Sequence, residues 1–247
     1  MKGIVLAGDS GQRLHPLTLG VPKQLLPIYD KPMLYYPIET LVGAGIKDIL
    51  IITSPKYSAN FVSALGDGSA FGANFSYSIQ SSPDGAAQAF TIAEEYLDKS
   101  PACMITGDCI IIGDDRDEKL RKAIRAARNS GQATIFLSKE YDPTQYGVAT
   151  LDQQGKCEII KESADNRGDY SITGLYVFPK GVTEFAKLIK KSERGRYEVT
   201  SLNQIYLQEN KLQVQILGDN YKWFDTNSFD NLLIASNYIK NQRKIAK

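Results

Sequence analysis

The chain opens on a short apolar run, Ile4 to Ala7, that ends in the loop Gly8-Asp9-Ser10-Gly11-Gln12-Arg13-Leu14. A run this short reads as a buried strand. A glycine-rich loop directly after it calls for a sheet whose strand ends face a ligand. Glycines let a backbone approach a phosphate closely, and Arg13 and Lys23 supply cations suited to a polyphosphate. Two familiar phosphate loops are excluded by the residues themselves. The loop lacks the G-x-G-x-x-G spacing of a dinucleotide site and the Gly-Lys-Ser/Thr ending of a Walker A loop. On glycine spacing alone, an ordinary strand-to-helix turn fits as well as a phosphate cradle.

The segments that follow alternate. Residues 48–53, 74–80 and 102–106 read as strands, and 33–44, 57–65, 85–97 and 117–129 as helices between them. Pro32 suits the first turn of its helix and Gly45 the position just past the end. This alternation predicts an α/β fold, a Rossmann-like, mostly parallel sheet flanked by helices. The second half adds strand-like segments at 132–139, 147–151, 157–161 and 170–178, expected as mixed strands walling the first half. Helices return at 180–188, 200–209 and 228–242. No linker rich in Pro, Gly or Ser divides the chain, so one domain over 1–247 is expected. Within it, 1–130 reads as one half, 131–227 as a second and 228–247 as a C-terminal helix.

Composition excludes several functions. A net charge of +1 gives no electrostatic case for nucleic acid or an acidic membrane. Three cysteines, Cys103, Cys109 and Cys157, have no metal-ligand spacing and cannot pair completely, which fits reduced thiols in a cytoplasmic protein. No targeting segment or membrane-spanning run is visible. The single histidine, His15, rules out a multi-histidine zinc site and reads as packing or solvation beside the loop. Any metal must then be held by carboxylates, which points to a hard cation such as magnesium.

Beyond these residue-level readings, the chain resembles the sugar-1-phosphate nucleotidyltransferases, and within them most resembles the glucose-1-phosphate thymidylyltransferases. The resemblance begins in Leu6-Ala7-Gly8…Ser10-Gly11…Arg13-Leu14 and Lys23-Gln24-Leu25-Leu26-Pro27. It continues through Ser82-Pro83-Asp84-Gly85…Ala87-Gln88-Ala89-Phe90, Gly107-Asp108, Tyr146-Gly147-Val148, Thr173-Gly174, Arg194-Gly195, Glu198-Val199-Thr200 and Trp223…Asp225-Thr226. It implies joining a nucleoside triphosphate, dTTP or UTP, to a hexose 1-phosphate with release of pyrophosphate, with 1–130 as the nucleotide-binding half and 131–227 as the sugar-binding half. Arg13 and Lys23 would be catalytic, and Asp108 and Asp225 would hold Mg2+. Gln80 and Gly85 would read the base, since a glutamine amide donates and accepts in one plane, as an imide requires. Tyr146, Gly147, Glu162, Gly174 and Thr200 would form the sugar pocket, with Arg194 at a phosphate-contact position. Leu6, Gly8, Gly11 and Gly107 lie in the matched segments and would also touch substrate. The resemblance leaves a homo-oligomer open.

Some positions depart from the family pattern. Asp9 stands where glycine is usual, and Gln12 where threonine or serine is usual. A carboxylate about 5 Å from a phosphate costs roughly 3 kcal/mol at an effective dielectric of about 20 unless a cation screens it. Loss of glycine also threatens the loop's backbone conformation. Ser163 falls where the family has a lysine toward the sugar phosphate, with Lys161 a substitute that must reach from another level of the strand. Cys109 replaces an asparagine, and Asn227-Ser228-Phe229 stands for Gly-Thr-His. Two functions therefore stay open at this level: a working transferase, or a weakened relative that binds a nucleotide or nucleotide sugar in a regulatory or scaffolding role.

Overall fold

The computed structural model describes residues 1–139, 146–162 and 170–245, with side chains through 243. The chain begins with β1 (Lys2–Ala7), a small hairpin of β2 (Pro27–Ile28) and β3 (Lys31–Pro32), and α1 (Tyr35–Gly43). Next come β4 (Asp48–Thr53), α2 (Ser58–Leu65), β5 (Asn74–Ile79), α3 (Gln88–Ile92), α4 (Glu94–Leu97), β6 (Ala102–Thr106), β7 (Cys109–Ile112) and α5 (Arg116–Asn129). The second half runs β8 (Ala133–Ser138), β9 (Val148–Leu151), β10 (Cys157–Lys161), β11 (Tyr170–Phe178), α6 (Val182–Leu188), α7 (Val199–Gln208), β12 (Leu212–Ile216), β13 (Lys222–Asp225) and α8 (Phe229–Ile245).

The main sheet has nine strands. Its first part, β5-β4-β1-β6, is parallel throughout. β11 then runs antiparallel to β6, β8 and β9, and β12 pairs parallel to β8. Seven of the nine strands thus point one way, with β10 and β11 reversed. Burial follows from position in the sheet. In the inner strand β4 every residue after Asp48 is buried, as parallel strands covered on both faces require, whereas the edge strand β5 alternates between half-buried and exposed.

The two-residue period of the strands builds two cores. Val5, Ile49, Ile51 and Ile105 point into one, beneath α1, α2 and α5. Ile4, Leu50, Ile52 and Met104 point into the other, beneath α3, α6 and α7. Fully burying one such side chain stabilises the fold by about 1.5–3 kcal/mol. A third cluster seats α8: Ala235 and Ile239 pack on Ile28, Met33, Ile110 and Phe224.

Local chemistry explains where the structure departs from the sequence reading. Gly45 (φ +88) does end α1, and the Ile46 amide donates to the Leu41 carbonyl across the turn. Pro32 lies instead in the β2–β3 hairpin, and α1 starts later, at Tyr35. The helix expected over 85–97 is two short ones, because Gly85 takes φ +115, which no helix permits, and Ala93 breaks the remainder at φ −84, ψ 7. β7, β12 and β13 were not foreseen.

β11 is the element that opens the site. At Tyr176 it pairs with β6 on one edge and β8 on the other. At Ser171 the β6 edge has passed to β9, with β8 still opposite. Between those contacts lies Gly174, beside the carboxyl end of β6. A β-carbon there would come within 2.3 Å of Thr106 Oγ1, so only glycine lets the strand pass this close.

Candidate active site

Two cavities open at the carboxyl ends of the parallel strands. The first, of about 360 Å³, is lined by Leu6, Asp9, Gly11, Arg13, Lys23, Gln80, Gly85 and Asp108 among others. The second, of about 220 Å³, is lined by Tyr146, Gly147, Glu162, Gly174, Thr200 and Asp225 among others. Thr106, Asp108 and Asn227 line both, so the two cavities meet there.

Close-packed glycines shape the first cavity: Gly11 lines it, whereas Gly8 and Gly107 lie behind the lining. Gly8 is buried so close to Gln80 that a β-carbon would sit 2.6 Å from Gln80 Oε1. Gly11 is left-handed (φ +66) and packs on Lys23 and Thr18, whose Oγ1 donates to the Gly11 carbonyl at 2.7 Å. Gly107 is packed between Gln24, Leu34 and Ala7 and donates its amide to the Leu6 carbonyl at 2.8 Å. Asp9 is exposed at the rim, and its Oδ1 accepts the Gly11 amide at 3.3 Å. Among the described residues the non-glycine positions with positive φ are Tyr29, Asp98, Lys99 and Asn210. Asp9 is therefore accommodated without a left-handed backbone. Gln12 begins a short 3-10 turn and is exposed, as is His15.

Lys23 is the electrostatic centre. It is only 1% exposed, and its ammonium donates to Asp108 Oδ2 at 2.6 Å and to Asn227 Oδ1. A buried lysine is tolerable only when its charge is matched this closely. Burial by itself would push the Asp108 carboxyl up, but Lys23 and nearby hydrogen-bond donors outweigh it and hold the group below the ordinary range. Asp225 goes the other way. Burial and the neighbouring Asp108 charge raise it, against the Tyr146 hydroxyl, Lys23 and Arg13.

The β7–β13 ribbon creates this pairing of carboxylates. Its antiparallel register sets Asp225 opposite Cys109, the residue after Asp108. Asp225 accepts from the Tyr146 hydroxyl and the Asn227 amide, while the Tyr146 ring meets Trp223 edge-on at 4.9 Å. Among the described residues no three His, Cys, Asp or Glu side chains converge as a metal cage. Two neighbouring carboxylates, one of which raises the other's proton affinity, suit a magnesium ion that completes its shell with substrate phosphates and water. Cys109 is buried against Gly174, and burial pushes its thiol far up, so it stays neutral.

The second cavity is built of side chains. Glu162 accepts from Thr200 Oγ1 and from the Arg194 guanidinium. Arg194 also donates to Glu198 Oε1 at 3.0 Å, an oxygen that accepts the Ser192 hydroxyl as well. Arg194 thus braces the acidic wall, while Arg196 lines the first cavity. Gly147 lies so near Thr200 that a β-carbon would approach its Cγ2 within 2.4 Å. Lys161 is exposed and not among the residues lining this cavity. Ser163 lies outside the described residues.

Several residues of the site carried no role in the sequence reading: Asn227, Glu198, Trp223 and Arg196. Asn227 and Trp223 flank Asp225, and Glu198 and Arg196 lie beside Thr200 and Arg194, so proximity to matched motifs was the available signal.

Comparison with known proteins fits this geometry. A family model described as nucleotidyl transferase matches residues 2–242. The chain is 44% identical over 246 residues to a glucose-1-phosphate thymidylyltransferase of Neisseria meningitidis, covering 99% of this chain and 84% of that protein. It is 46% identical to one from Xanthomonas campestris pv. campestris, covering 97% and 80%. A crystal structure described as a glucose-1-phosphate thymidylyltransferase from Bacillus anthracis, in complex with a sucrose, superposes with TM-score 0.87 at 32% identity, covering 96% of this chain and 94% of that one. A UDP-glucose pyrophosphorylase complexed with UDP-glucose shares the fold, with TM-score 0.83 at 20% identity over 98% of each chain. No helix among the described residues is long and apolar enough to cross a membrane.

Proposed function

Because the chain belongs to the nucleotidyl transferase family, as a sugar-1-phosphate nucleotidyltransferase, we propose that it transfers the nucleotidyl group of dTTP or UTP to glucose 1-phosphate. The observation that carries this reading is the meeting of two cavities at Asp108 and Asn227, beside the buried Lys23 ammonium. One cavity offers glycine backbone and cations for a triphosphate. The other offers carboxylates and hydroxyls for a sugar.

In the proposed reaction a phosphate oxygen of the sugar phosphate attacks the α-phosphorus in line. A new phosphorus–oxygen bond forms, the bond from the α-phosphorus to the bridging oxygen breaks, and its electron pair leaves on pyrophosphate. No proton need be moved, so the protein's work is positioning and charge neutralisation. Lys23, fixed on Asp108 and Asn227, presents a preorganised cation to the reacting phosphates. Arg13 reaches the same cavity from the loop and serves the triphosphate. Gln80 and Gly85 take the base, with Leu6 and Gly11 in the wall and Gly8 and Gly107 packed behind it against Gln80 and Gln24. Tyr146, Gly147, Glu162, Gly174 and Thr200 take the sugar, and Arg194 holds Glu162 for that task. Asp108 and Asp225 would hold Mg2+, which when bound draws charge from the phosphates and orients them.

The test is pyrophosphate release from dTTP or UTP with glucose 1-phosphate and Mg2+, with the nucleotide sugar identified by mass. Equimolar pyrophosphate and nucleotide sugar are expected. Nucleotide-sugar binding without turnover across a panel of hexose 1-phosphates would favour the sensing role instead.

A further inference from the structure

In the proposed reaction an oxygen of the sugar phosphate attacks the α-phosphorus, so that phosphate must lie where the two cavities meet. The sugar side alone receives a dianion poorly. The described residues lining the second cavity include the carboxylates Asp108, Glu162, Glu198 and Asp225, and no lysine or arginine. Donors must then come from the junction, formed by Thr106, Asp108 and Asn227. The Thr106 hydroxyl is bonded to the Asp108 carboxylate, which also accepts from Lys23. Only Asn227 is left to donate.

The partners of the Asn227 amide set its orientation. An ammonium can only donate, so the atom against Lys23 is the amide oxygen, Oδ1. The nitrogen is then turned to Asp225, whose Oδ1 accepts one of its two hydrogens. Turning the amide over would press its NH2 group against the Lys23 ammonium. The second hydrogen has no protein partner among the described residues, and the side chain is half-buried between the cavities. The neighbouring backbone is fixed as well. Thr226 is fully buried with its hydroxyl on Met33 Sδ at 3.1 Å, and the Ser228 hydroxyl caps α8 by accepting the Asn231 amide at 3.1 Å.

We propose that Asn227 is a substrate contact whose second amide hydrogen donates to the phosphate of the sugar 1-phosphate. It acts beside the third hydrogen of the Lys23 ammonium, whose other two go to Asp108 and Asn227. The inference rests on the proposed function for the placement of the two substrates. A neutral donor suits this place, because it serves the anion without disturbing the charge balance between Lys23 and Asp108. The family pattern has glycine at this position, so the contact belongs to this chain.

Dissociation constants for glucose 1-phosphate and for glucose test this in the wild type, Asn227→Ala and Asn227→Asp. They are measured by ligand-observed NMR with Mg2+ and the α,β-methylene analogue of dTTP present. The wild type should bind the phosphate ester more tightly than the free sugar. Asn227→Ala should cut that preference about tenfold or more, the scale of one hydrogen bond to a charged group. Asn227→Asp keeps an oxygen for Lys23 but has no hydrogen to give and adds a like charge, so the preference should fall further. A merely structural role would weaken both ligands alike and leave the preference in place, which overturns the inference. A preference lost in Asn227→Ala and restored in Asn227→Asp also overturns it, since Asn227 would then act only by holding Lys23. Pyrophosphate release measured in parallel separates the two readings. Absent turnover with the expected preferences counts against the proposed function alone, and normal turnover with an unchanged preference counts against this inference alone.

Discussion

The two cavities are made by opposite means. The nucleotide side starts from one sequence-local piece, β1 with its glycine loop and Lys23 shortly after. To it Gln80 and Gly85 are added from beyond β5, and Asp108, Arg196 and Asn227 from farther along the chain. The sugar side gathers Tyr146, Glu162, Gly174, Thr200 and Asp225 from five separate segments, and it holds together through side-chain bonds that exist before any ligand arrives. The first presents glycine backbone together with Arg13 and a Lys23 held by Asp108 and Asn227 to an anion whose shape varies little. The second spends its polar groups on one another, so a sugar must replace or extend bonds already made. Geometry on one side follows from glycine, and on the other from a network.

Lys23 lines the first cavity and bonds Asp108 and Asn227, which line both, so breaking it should have the largest effect. Lys23→Met should lower kcat/KM for pyrophosphate release by at least about 10²–10³-fold, the scale for removing one preorganised donor. A fall below tenfold would mean that the junction is not where charge is stabilised. Disrupting the network alone is milder and one-sided. Thr200→Val removes a bond to the Glu162 carboxylate worth about 1.5–3 kcal/mol, so KM for glucose 1-phosphate should rise about tenfold or more while KM for dTTP holds. Equal changes in both constants would erase the division between the cavities.

Asp9 probes the loop side. It is exposed and faces its own Gly11 amide, so solvent screening discounts the larger penalty expected of a carboxylate within the loop. Asp9→Gly should tighten dTTP roughly fivefold at low salt and less at high salt, without moving the sugar constant. Calorimetry over a salt series checks this. A hundredfold gain would show the carboxylate pressing directly on phosphate.

The smallest effect is on stability. The Asp225 carboxyl is raised in the folded state, so its ionisation opposes folding. That penalty is absent below the ordinary carboxylate range, grows as pH rises toward the folded value, and is complete above it. At pH 8 without metal, Asp225→Asn should therefore melt slightly higher than the wild type by calorimetry, with the gap closing at low pH. Added Mg2+ should raise the wild-type melting temperature more than that of the variant.

The same division decides what was legible in the sequence. Strands 48–53, 102–106, 157–161 and 170–178 have the expected bounds, because apolar runs set off by polar or turn residues identify themselves. β7 does carry an apolar, β-branched run, Cys109 to Ile112, set off from β6 only by Gly107-Asp108, while β13 owes its state to pairing with that distant partner. The motif positions were visible by resemblance. Their bonds were not: that Arg194 braces Glu162 and that Asn227 joins Lys23 to Asp225 are products of long-range packing. The loop worry over Asp9 dissolved for a local reason, since its φ is ordinary.

Whether the cavities are halves of one reaction site is tested most directly by a single-turnover experiment with dTTP labelled at the α-phosphorus. If they are, label passes to the nucleotide sugar only when glucose 1-phosphate and Mg2+ are both present, with one pyrophosphate released per label transferred. Label that stays in dTTP, while calorimetry finds nucleotide and sugar phosphate bound together, would contradict it.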